Sequence, residues 1–549
     1  MKRFYSCLLA LSLTAALLAA PASAREYTDV PAESALAQEV QKAVDYGLMN
    51  GYSDSRFGYS DPMTRAQFTA VLVRMMGWEE AVPESPSYED VEPENTWYAM
   101  IETAAAHDVA ETGGLFRPNA PVTRAEMAEL LVRALGLKSA AEQLKVSGSG
   151  AYQELHGAIP FTDLPKEGEE GYVAVAYAIG LTKGTSASAF SPGETATRAQ
   201  AAAMLVRIYE KLNRPTDPTH GFYAISSYSQ LPLAQTLDVV SAGWSRMVWD
   251  GTQARLVTSR ENGNEYYIPD GYEEVAGTVQ DLHLSVFMNG QSLKDMLASE
   301  EGRTLAMRQI VQEVSRAYDG LGRSPYSGVT IDFEGLRSSG KADFTAFLQE
   351  LKRELDRLEK KLYVCVPPVL ASGSWYDGYD YGAIGKLADK IILMAYDYDA
   401  RDMSDFVGGF YYQTAATAPV DQVYLGLKAL TDEAAPEQVL LGFSCKNVAW
   451  QIDEAGRLVS GKPLYPSTET VLARLAQPDT ERGWSETYQQ SYATYTTEDG
   501  SRYFLWYQDG RSVETALRAA KLLGVNGVSL WRLGTLPMAD DWTWAGLLA

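Results

Sequence analysis

The pattern of apolar and polar positions divides the chain into two parts. Up to about residue 213, apolar residues recur at helical spacing, as in Phe68, Val71, Leu72 and Met75. Beyond about residue 219, short apolar runs alternate with helical stretches such as 344–362 and 513–523. The first pattern predicts packed helices, and the second predicts a parallel sheet whose strands are joined by helices.

Eight apolar runs in the second part are predicted to be strands. They are residues 221–225, 239–248, 282–288, 328–333, 362–366, 390–395, 439–443 and 527–531. Eight strand–helix units over residues 219–549 favour a closed (β/α)8 TIM barrel, and a doubly wound open sheet is the second choice. Residues 450–506 are rich in Tyr, Thr and Gln and predict a small inserted α+β lobe at the barrel mouth. The predicted fold class is therefore a multidomain chain with an all-α bundle before an α/β barrel.

The helical part contains a repeat that occurs three times. Each copy opens with a short motif: Tyr-Thr-Asp-Val at 27–30, Tyr-Glu-Asp-Val at 88–91 and Phe-Thr-Asp-Leu at 161–164. A second motif follows in each copy: Thr-Arg-Ala-Gln at 64–67, Thr-Arg-Ala-Glu at 123–126 and Thr-Arg-Ala-Gln at 197–200. The offsets from the Asp to the Arg are 36, 34 and 35 residues. Each Thr suits a helix N-cap, and Gln67 and Glu126 complete capping boxes in the first two units. Each unit should form two helices and a loop, and three such units should pack together because one alone could hardly bury its apolar face.

These repeats resemble the S-layer homology module, over about residues 25–213. The resemblance implies a three-pronged bundle that binds anionic secondary cell-wall polymers, with Arg65, Arg124 and Arg198 in grooves between the prongs. A guanidinium group suits this role because it stays charged and forms bidentate bonds with carboxylates. The alternative is that each Arg only braces its own helix end, but the helix dipole disfavours a cation in the first turn. The third unit departs from the pattern, since Ala196 precedes its Thr and its turn has no matching Tyr, so its groove is predicted to be weaker.

The first 24 residues predict a secretory signal peptide. Lys2 and Arg3 precede an apolar stretch at 7–18, and an Ala-x-Ala site precedes Arg25. A retained membrane anchor is the alternative. The predicted division after the leader is 25–82, 83–140 and 155–213 for the three modules and 219–549 for the barrel, with a mobile linker over 138–159.

Composition narrows the partners and the chemistry. The formal net charge of −24 argues against a nucleic-acid partner. With 3 Cys and 4 His in the chain, a disulfide scaffold is excluded and a His-based zinc site is disfavoured. Cys365 and Cys445 lie in strand-like runs and are predicted to be buried thiols. Beyond the leader no apolar stretch approaches eighteen residues, so no membrane partner is expected after cleavage.

Candidate chemistry lies at the ends of the predicted strands, where barrel enzymes place it. Asp332 and Glu334 are two residues apart at the end of the fourth run, so they share one strand face. Two adjacent carboxyl groups can divide their roles, one charged and one protonated. Tyr396 and Asp397 end the sixth run, where polar groups after an apolar strand need a partner. Trp531 ends the eighth run, and core packing is its alternative role.

Together these residues resemble family 18 glycoside hydrolases, over about residues 219–549. That family carries Asp-x-x-Asp-x-Asp-x-Glu on its fourth strand, Met-x-Tyr-Asp on its sixth and a Trp on its last. Here Ser327 and Thr330 stand in place of the first two Asp, so the resemblance does not extend to proton shuttling away from Asp332. The Asp-Phe-Glu sequence and Tyr-Gly-Ala-Ile-Gly at 381–385 look most like the branch with bacterial spore-cortex and cell-wall N-acetylglucosaminidases.

The resemblance implies a substrate-assisted mechanism that needs no metal or organic cofactor. Glu334 would be the general acid, Asp332 would hold the acetamido N–H, and Tyr396 would bind the acetamido oxygen. Asp397, Met394 and Trp531 would bind the sugar. The implied protein is secreted, bound to the cell wall and active on GlcNAc-containing glycans, while peptidoglycan versus chitin and exo versus endo action stay open. The alternative is a non-catalytic glycan-binding or S-layer structural protein on the same scaffold.

Overall fold

The computed structural model describes residues 27–144, 159–164, 169–260, 266–370 and 376–537. The predicted signal peptide, residues 1–24, lies outside the described residues. The helices of the N-terminal part are α1 (Ala37–Asp45), α2 (Arg65–Met76), α3 (Tyr98–Ala106), α4 (Arg124–Ala134), α5 (Lys138–Gln143), α6 (Glu170–Ala178) and α7 (Arg198–Leu212). The two helices predicted for each repeat are therefore present.

Capping boxes start the second helix of every repeat. The hydroxyls of Thr64, Thr123 and Thr197 each accept the backbone N–H three residues on, and the side chain at that position bonds back to the Thr N–H. The third box uses Gln200, which the sequence did not single out. Each box satisfies two of the free N–H groups at its helix start, which fixes where the helix begins.

The three repeats close into a ring. Each N1 arginine donates its backbone N–H, at 2.9 Å, to a carbonyl of another repeat, in the pairs Arg65 to Ala120, Arg124 to Glu194 and Arg198 to Asp61. The first repeat thus contacts the second, the second contacts the third, and the third returns to the first. This ring explains why the module occurs three times, because each repeat supplies acceptors for another.

The prediction of a mobile linker over 138–159 is wrong for its first six residues. Residues Lys138–Gln143 form helix α5, which packs against α6. The Gln143 amide donates to Asp421 Oδ2 at 3.3 Å, on a helix of the barrel. Its sequence has no apolar periodicity, so tertiary contacts rather than local pattern hold this turn in place. The part of the linker from 145 to 158 lies outside the described residues.

The strands of the C-terminal part close a barrel. They are β1 (Thr219–Tyr223), β2 (Val239–Trp249), β3 (Ala254–Val257), β4 (Asp281–Asn289), β5 (Gly328–Glu334), β6 (Lys361–Val366), β7 (Lys390–Leu393), β8 (Val439–Ser444), β9 (Val448–Ile452), β10 (Glu481–Ser485), β11 (Gln490–Thr496), β12 (Arg502–Tyr507) and β13 (Gly527–Trp531). Parallel pairing runs β1-β2-β4-β5-β6-β7-β8-β13 and returns to β1. The predicted eight-stranded barrel is confirmed, and the open sheet is excluded because β1 pairs on both sides. Strand β3, antiparallel to β2, was not predicted.

Helices cover the outside of the barrel and one belongs to the inserted lobe. They are α8 (Leu231–Ala234), α9 (Tyr272–Thr278), α10 (Gly290–Ala298), α11 (Glu300–Ser315), α12 (Lys341–Arg357), α13 (Tyr381–Leu387), α14 (Val420–Thr431), α15 (Thr468–Leu475) and α16 (Gly510–Leu522). Between β8 and β13, α15 accompanies an antiparallel sheet in the order β10-β11-β12-β9, which confirms an α+β lobe. None of the helices in the described part combines the length and apolar character that a membrane crossing requires.

Two lysines join the bundle to the barrel by capping each other's helices. Lys211 of α7 donates from Nζ to the carbonyls of Leu522, the last residue of α16, and of Ile179, each at 2.6 Å. Lys521 of α16 donates to the carbonyl of Leu212, the last residue of α7, at 3.3 Å. The C-terminal carbonyls of a helix need such donors and favour positive charge. The two parts of the chain are therefore in direct contact beyond the short connection between them.

Candidate functional site

Strand β5 brings the two predicted carboxyl groups to the barrel mouth. Asp332 is buried, with 4% of its surface exposed, and Glu334 is half-buried at the last position of the strand. Burial raises the pKa of Asp332 to about 8, the Glu334 carboxylate adds to the rise, and a hydrogen bond with the Cys365 thiol lowers it. The two side chains can therefore retain a proton near neutral pH.

Glu334 faces a second group of charges beyond Asp332. Removal from water raises its pKa, the Asp397 carboxylate raises it further, and Arg401 opposes both effects. A raised pKa favours the protonated form of a carboxyl group and moves it towards the range in which a general acid works. Glu334 therefore has the electrostatic surroundings that a proton donor needs.

The residues after β7 place Tyr396 and Asp397 next to these carboxyl groups. The Tyr396 ring is partly buried and lies against Gly442 of β8. Removal from water raises its pKa well above the usual value, and the Asp332, Asp397 and Glu334 charges add to the rise. Its hydroxyl thus stays protonated and available as a hydrogen-bond donor.

Asp397 has a left-handed backbone with φ of 59° and an exposed side chain. Desolvation raises the pKa of its carboxyl, while Lys446 and a hydrogen bond with Ser444 lower it. Lys446 Nζ lies 3.9 Å from Asp397 Oδ2 and 2.9 Å from Oδ1 of the buried Asp399. Lys446 therefore ties the end of β7 to the segment after β8.

A cleft of about 610 Å³ opens between the barrel mouth and the inserted lobe, and Asp397, Lys446, Tyr465 and Trp531 are among its lining residues. Trp531 is 37% exposed and packs edge-to-face against Phe222 with the ring centroids 5.0 Å apart. One side of the Trp531 ring therefore packs on the barrel, and the rest of the ring faces the cleft.

Met394 is not among the residues that line this cleft. It is partly buried and packs against the apolar cluster inside the barrel that includes Phe222 and Cys365. Lys446 and Tyr465 were not predicted. Lys446 could have been noticed as a charge shortly after the seventh predicted strand, but Tyr465 lies in a loop of the lobe with no local signal.

Below Asp332, hydroxyl groups and imidazoles fill the barrel interior. The Thr330 Oγ1 lies 2.7 Å from Ser241 Oγ and 3.3 Å from His283 Nδ1. His220 contacts both Ser241 Oγ and Ser529 Oγ at 2.7 Å. Burial lowers the pKa of both histidines, so this network is neutral at physiological pH. Ser327 is bonded to the carbonyl of Leu282 at the other end of the strand.

Each predicted groove arginine reaches into another repeat instead of bracing its own helix. The Nε atoms of Arg65, Arg124 and Arg198 donate to the carbonyls of Phe116, Phe190 and Phe57, at 2.9, 2.8 and 3.0 Å. Each guanidinium also lies over the ring of the same phenylalanine. The three side chains therefore lie at the junctions between repeats, where the grooves were predicted.

The three junctions differ in what surrounds the guanidinium. Arg65 forms a salt bridge with Glu126 at 2.8 Å, and Arg198 is buried beneath Tyr52, with 4.4 Å from its Cζ atom to the ring centroid. Arg124 faces the turn of the third repeat, where its Nη2 lies 3.4 Å from Thr182 Oγ1. The missing Tyr of the third repeat therefore affects the Arg124 groove. The sequence instead predicts the weaker groove at the third repeat's own arginine, because the sequence does not show which repeat contacts which in the ring.

Comparison with known proteins identifies both parts of the chain. The family model for glycosyl hydrolases family 18 matches residues 276–535, and that for the S-layer homology domain matches 26–69, 87–128 and 160–202. The cortical fragment-lytic enzyme of Bacillus subtilis (strain 168) is 23% identical over 294 residues, which cover 53% of this chain and 61% of that protein. An S-layer protein of Bacillus thuringiensis subsp. finitimus is 27% identical over 214 residues, which cover 37% of this chain and 24% of that protein.

The crystal structure of the Bacillus cereus spore cortex-lytic enzyme superposes with a TM-score of 0.46 at 17% identity, covering 60% of this chain and 73% of that chain. The chain spans 50% and 61% of the length of two curated Bacillus subtilis relatives that it matches. The S-layer homology matches lie in the helical bundle, and the glycosyl hydrolase match lies in the barrel. The chain therefore combines three S-layer homology domains with a glycosyl hydrolase family 18 domain, as its motifs predicted.

Proposed function

We propose that the barrel is a glycosidase that cleaves β-1,4 linkages of GlcNAc-containing glycans with retention of configuration. The observation that carries this proposal is the pair Asp332 and Glu334 at the mouth of β5, whose pKa values are both raised by removal from water. Two such carboxyl groups can hold one proton and one negative charge near neutral pH. That is the state required to protonate a leaving oxygen and stabilise the resulting cation.

Glu334 is the general acid in this proposal. Removal from water and the Asp397 carboxylate raise its pKa, which favours the protonated form, and its half-buried side chain stands at the last position of β5. The attacking group is the 2-acetamido oxygen of the substrate itself, as in the substrate-assisted exceptions to the two-carboxylate rule. No protein nucleophile is needed, so the second carboxyl group is free for another role.

Asp332 and Tyr396 bind the acetamido group. Asp332 accepts its N–H, which holds the acetamido oxygen towards the anomeric carbon and stabilises the oxazolinium ion. Tyr396 donates to the acetamido oxygen, because its strongly raised pKa keeps the hydroxyl protonated. This arrangement accepts a donor sugar that carries a 2-acetamido group and disfavours one that lacks it, since a buried polar group would then be left without its partner.

The remaining site residues hold the sugar. Asp397 and Trp531 line the cleft, so Asp397 can accept sugar hydroxyls and the exposed face of Trp531 can stack on a pyranose ring. Met394 borders the interior cluster and closes the inner end of the sugar site. Peptidoglycan is the favoured substrate, since relatives include a cortical fragment-lytic enzyme and the chain carries wall-associated domains. Chitin oligomers are the second choice.

The test is the release of reducing ends from purified peptidoglycan and from chitin oligomers, wild type against Glu334→Gln. The glutamine keeps the shape and removes the transferable proton, so kcat should fall by about 10²–10⁴-fold. Glu354→Gln, on the outer helix α12, is the matched control and should behave as wild type. Equal activity of Glu334→Gln and wild type would refute Glu334 as the general acid, and no activity in the wild type would favour the non-catalytic glycan-binding alternative.

The S-layer homology bundle anchors the barrel to an anionic wall polymer through the groove arginines, after export directed by residues 1–24. Arg124 is the strongest candidate of the three. Its polar partners are the neutral Phe190 carbonyl and the Thr182 hydroxyl, and it forms no salt bridge within the described residues. Its positive charge is thus free for a carboxylate or phosphate of the polymer.

Arg124→Ala should weaken binding to purified wall polymer by about 1.5–3 kcal/mol, the typical loss of a hydrogen bond to a charged group. Arg207→Ala removes an exposed arginine of α7 outside the junctions and serves as the control. Binding is measured by sedimentation of the protein with polymer. Equal affinity of the two variants at low salt would refute a direct role for Arg124.

A further inference from the structure

The inner end of the site leaves one carboxyl group with few hydrogen-bond donors. Asp332 is 4% exposed, and its Oδ1 has no hydrogen-bond partner among the described residues. Thr330, two positions earlier on the same face, is already bonded to Ser241 and His283. A buried carboxylate is costly unless donors compensate for the lost water. The donor that does reach Asp332 therefore has a large influence on its orientation and charge.

That donor comes from the neighbouring strand. Strands β5 and β6 pair in parallel, with Thr330 opposite Tyr363 and Ile331 opposite Val364. One further step in this register places Asp332 beside Cys365. Cys365 is 1% exposed, so its thiol is enclosed on the same side of the sheet as the Asp332 carboxyl group, and each group shifts the pKa of the other. Burial raises the pKa of the thiol well above its usual value, so the thiol keeps its proton and can donate it in a hydrogen bond to a carboxylate.

We propose that Cys365 is a positioning residue for Asp332: its S–H donates to the carboxylate and holds it beside Glu334 at the barrel mouth. This role rests on the proposed glycosidase function. A thiol in this position differs from an acidic neighbour, because it orients the carboxylate without taking its proton. A proton on Asp332 is then shared with Glu334 alone, on the side where the substrate binds. This agrees with the sequence, in which the earlier position on the same strand face is Thr330 and not an acidic residue.

Other titratable groups also face Asp332 and contribute to its charge state. Glu334 raises its pKa directly, while Tyr379 after β6 and Tyr396 after β7 feel its charge and stay protonated. Further out, Asp397 and Arg401 act on Glu334 with opposite signs. These groups are unchanged when Cys365 is substituted, so a change in pH dependence can be assigned to the thiol.

The test compares two substitutions with opposite expected effects on the alkaline limb of kcat/KM against pH. Cys365→Ala removes the donor, which destabilises ionised Asp332, so the limb should move to higher pH. Cys365→Ser supplies a stronger O–H donor, so the limb should move to lower pH. Each shift should be about half to one pH unit. A purely structural role for Cys365 would lower activity without moving the limb in opposite directions.

Cys445→Ala is the matched control, because this second buried thiol has its pKa raised by burial alone. Its alkaline limb should coincide with that of the wild type. The inference is overturned if the alkaline limbs of both Cys365 variants coincide with that of the wild type. It is also overturned if the two limbs move in the same direction. An inactive wild type would instead refute the proposed function.

A spectroscopic measurement decides the inference without activity and without a Cys365 variant that has to fold. In a Cys7→Ala, Cys445→Ala background the chain has a single thiol, so its infrared S–H stretching band reports Cys365 alone. Asp332→Ala in that background removes the acceptor. The band should move to the higher frequency of a free thiol, and a band that stays in place would overturn the hydrogen bond and the inference with it.

Discussion

Gly442 on strand β8 sets the space available to the Tyr396 ring. A Cβ atom at this position would lie 2.7 Å from the carbonyl oxygen of Leu393 and 2.7 Å from Cε1 of Tyr396. Carbon atoms in good contact are about 3.5–4.0 Å apart, so the ring has to move by about 1 Å. Leu393 is held by strand pairing between β7 and its neighbours, whereas the ring borders the open mouth. The substitution Gly442→Ala should therefore tilt Tyr396 outwards.

The expected effect has two components. Overpacking of this kind costs about 1–3 kcal/mol of stability, which corresponds to a decrease in Tm of about 1–4 °C for a barrel of this size. Misplacement of a catalytic group by about 1 Å costs roughly 10²-fold in rate. Gly442→Ala should thus retain the fold and lose about two orders of magnitude in kcat/KM on chitin oligomers, with little change in wall-polymer binding.

Gly277→Ala is the matched control for this prediction. Gly277 is exposed in helix α9, and a Cβ atom there would have no atom within 4 Å. Alanine in a helix is favoured over glycine by about 0.5–1 kcal/mol, so this variant should be slightly more stable and fully active. The assays are thermal unfolding followed by circular dichroism and initial rates of reducing-end release. A Gly442→Ala enzyme with wild-type rates would show that Tyr396 does not need its observed position.

Two further predictions concern stability. Because the pKa of Asp332 is raised to about 8 in the folded chain, folding is penalised as pH rises from about 4, the unfolded pKa, towards 8. The Tm of Asp332→Asn should therefore be higher than that of the wild type at pH 8 and equal to it at pH 4. Equal Tm values for the two proteins at both pH values would contradict the raised pKa. Lys211→Met with Lys521→Met removes the reciprocal caps, so calorimetry should resolve separate transitions for bundle and barrel, and an unchanged thermogram would show that the caps do not link them.

The barrel strands could be predicted because each buried strand leaves a continuous apolar run in its own sequence. A strand covered on both faces needs a continuous apolar run, and all eight runs became barrel strands within a few residues. The lobe strands have no such signal, since β11 alternates between buried and partly exposed positions and its aromatic residues pack within the lobe. Helix α5 also could not be predicted, because its contacts come from α6 and the barrel rather than from its own sequence.

The candidate site shows the same division. Asp332, Glu334 and Tyr396 follow apolar runs, so the barrel prediction alone places them at the mouth. The pairs that tune them depend on which strands are neighbours. Cys365 reaches Asp332 because β6 lies beside β5, and the ion pair between Lys446 and the segment after β7 forms because β8 lies beside β7. Such contacts are properties of the closed ring, and no local pattern encodes them.

The proposed grooves of the bundle would allow a chain of net charge −24 to hold a polyanion. At physiological ionic strength charges are screened beyond about 8 Å, so the overall repulsion is weak at contact distance and the nearest charges decide. Arg65 is neutralised by Glu126, and Arg198 is buried beneath Tyr52 and donates to the Asn50 carbonyl. Arg124 alone of the three combines partial exposure with neutral partners. Three sequence-equivalent arginines are thus unequal in the folded ring, and the junction between the second and third repeats leaves an arginine without a salt bridge among the described residues.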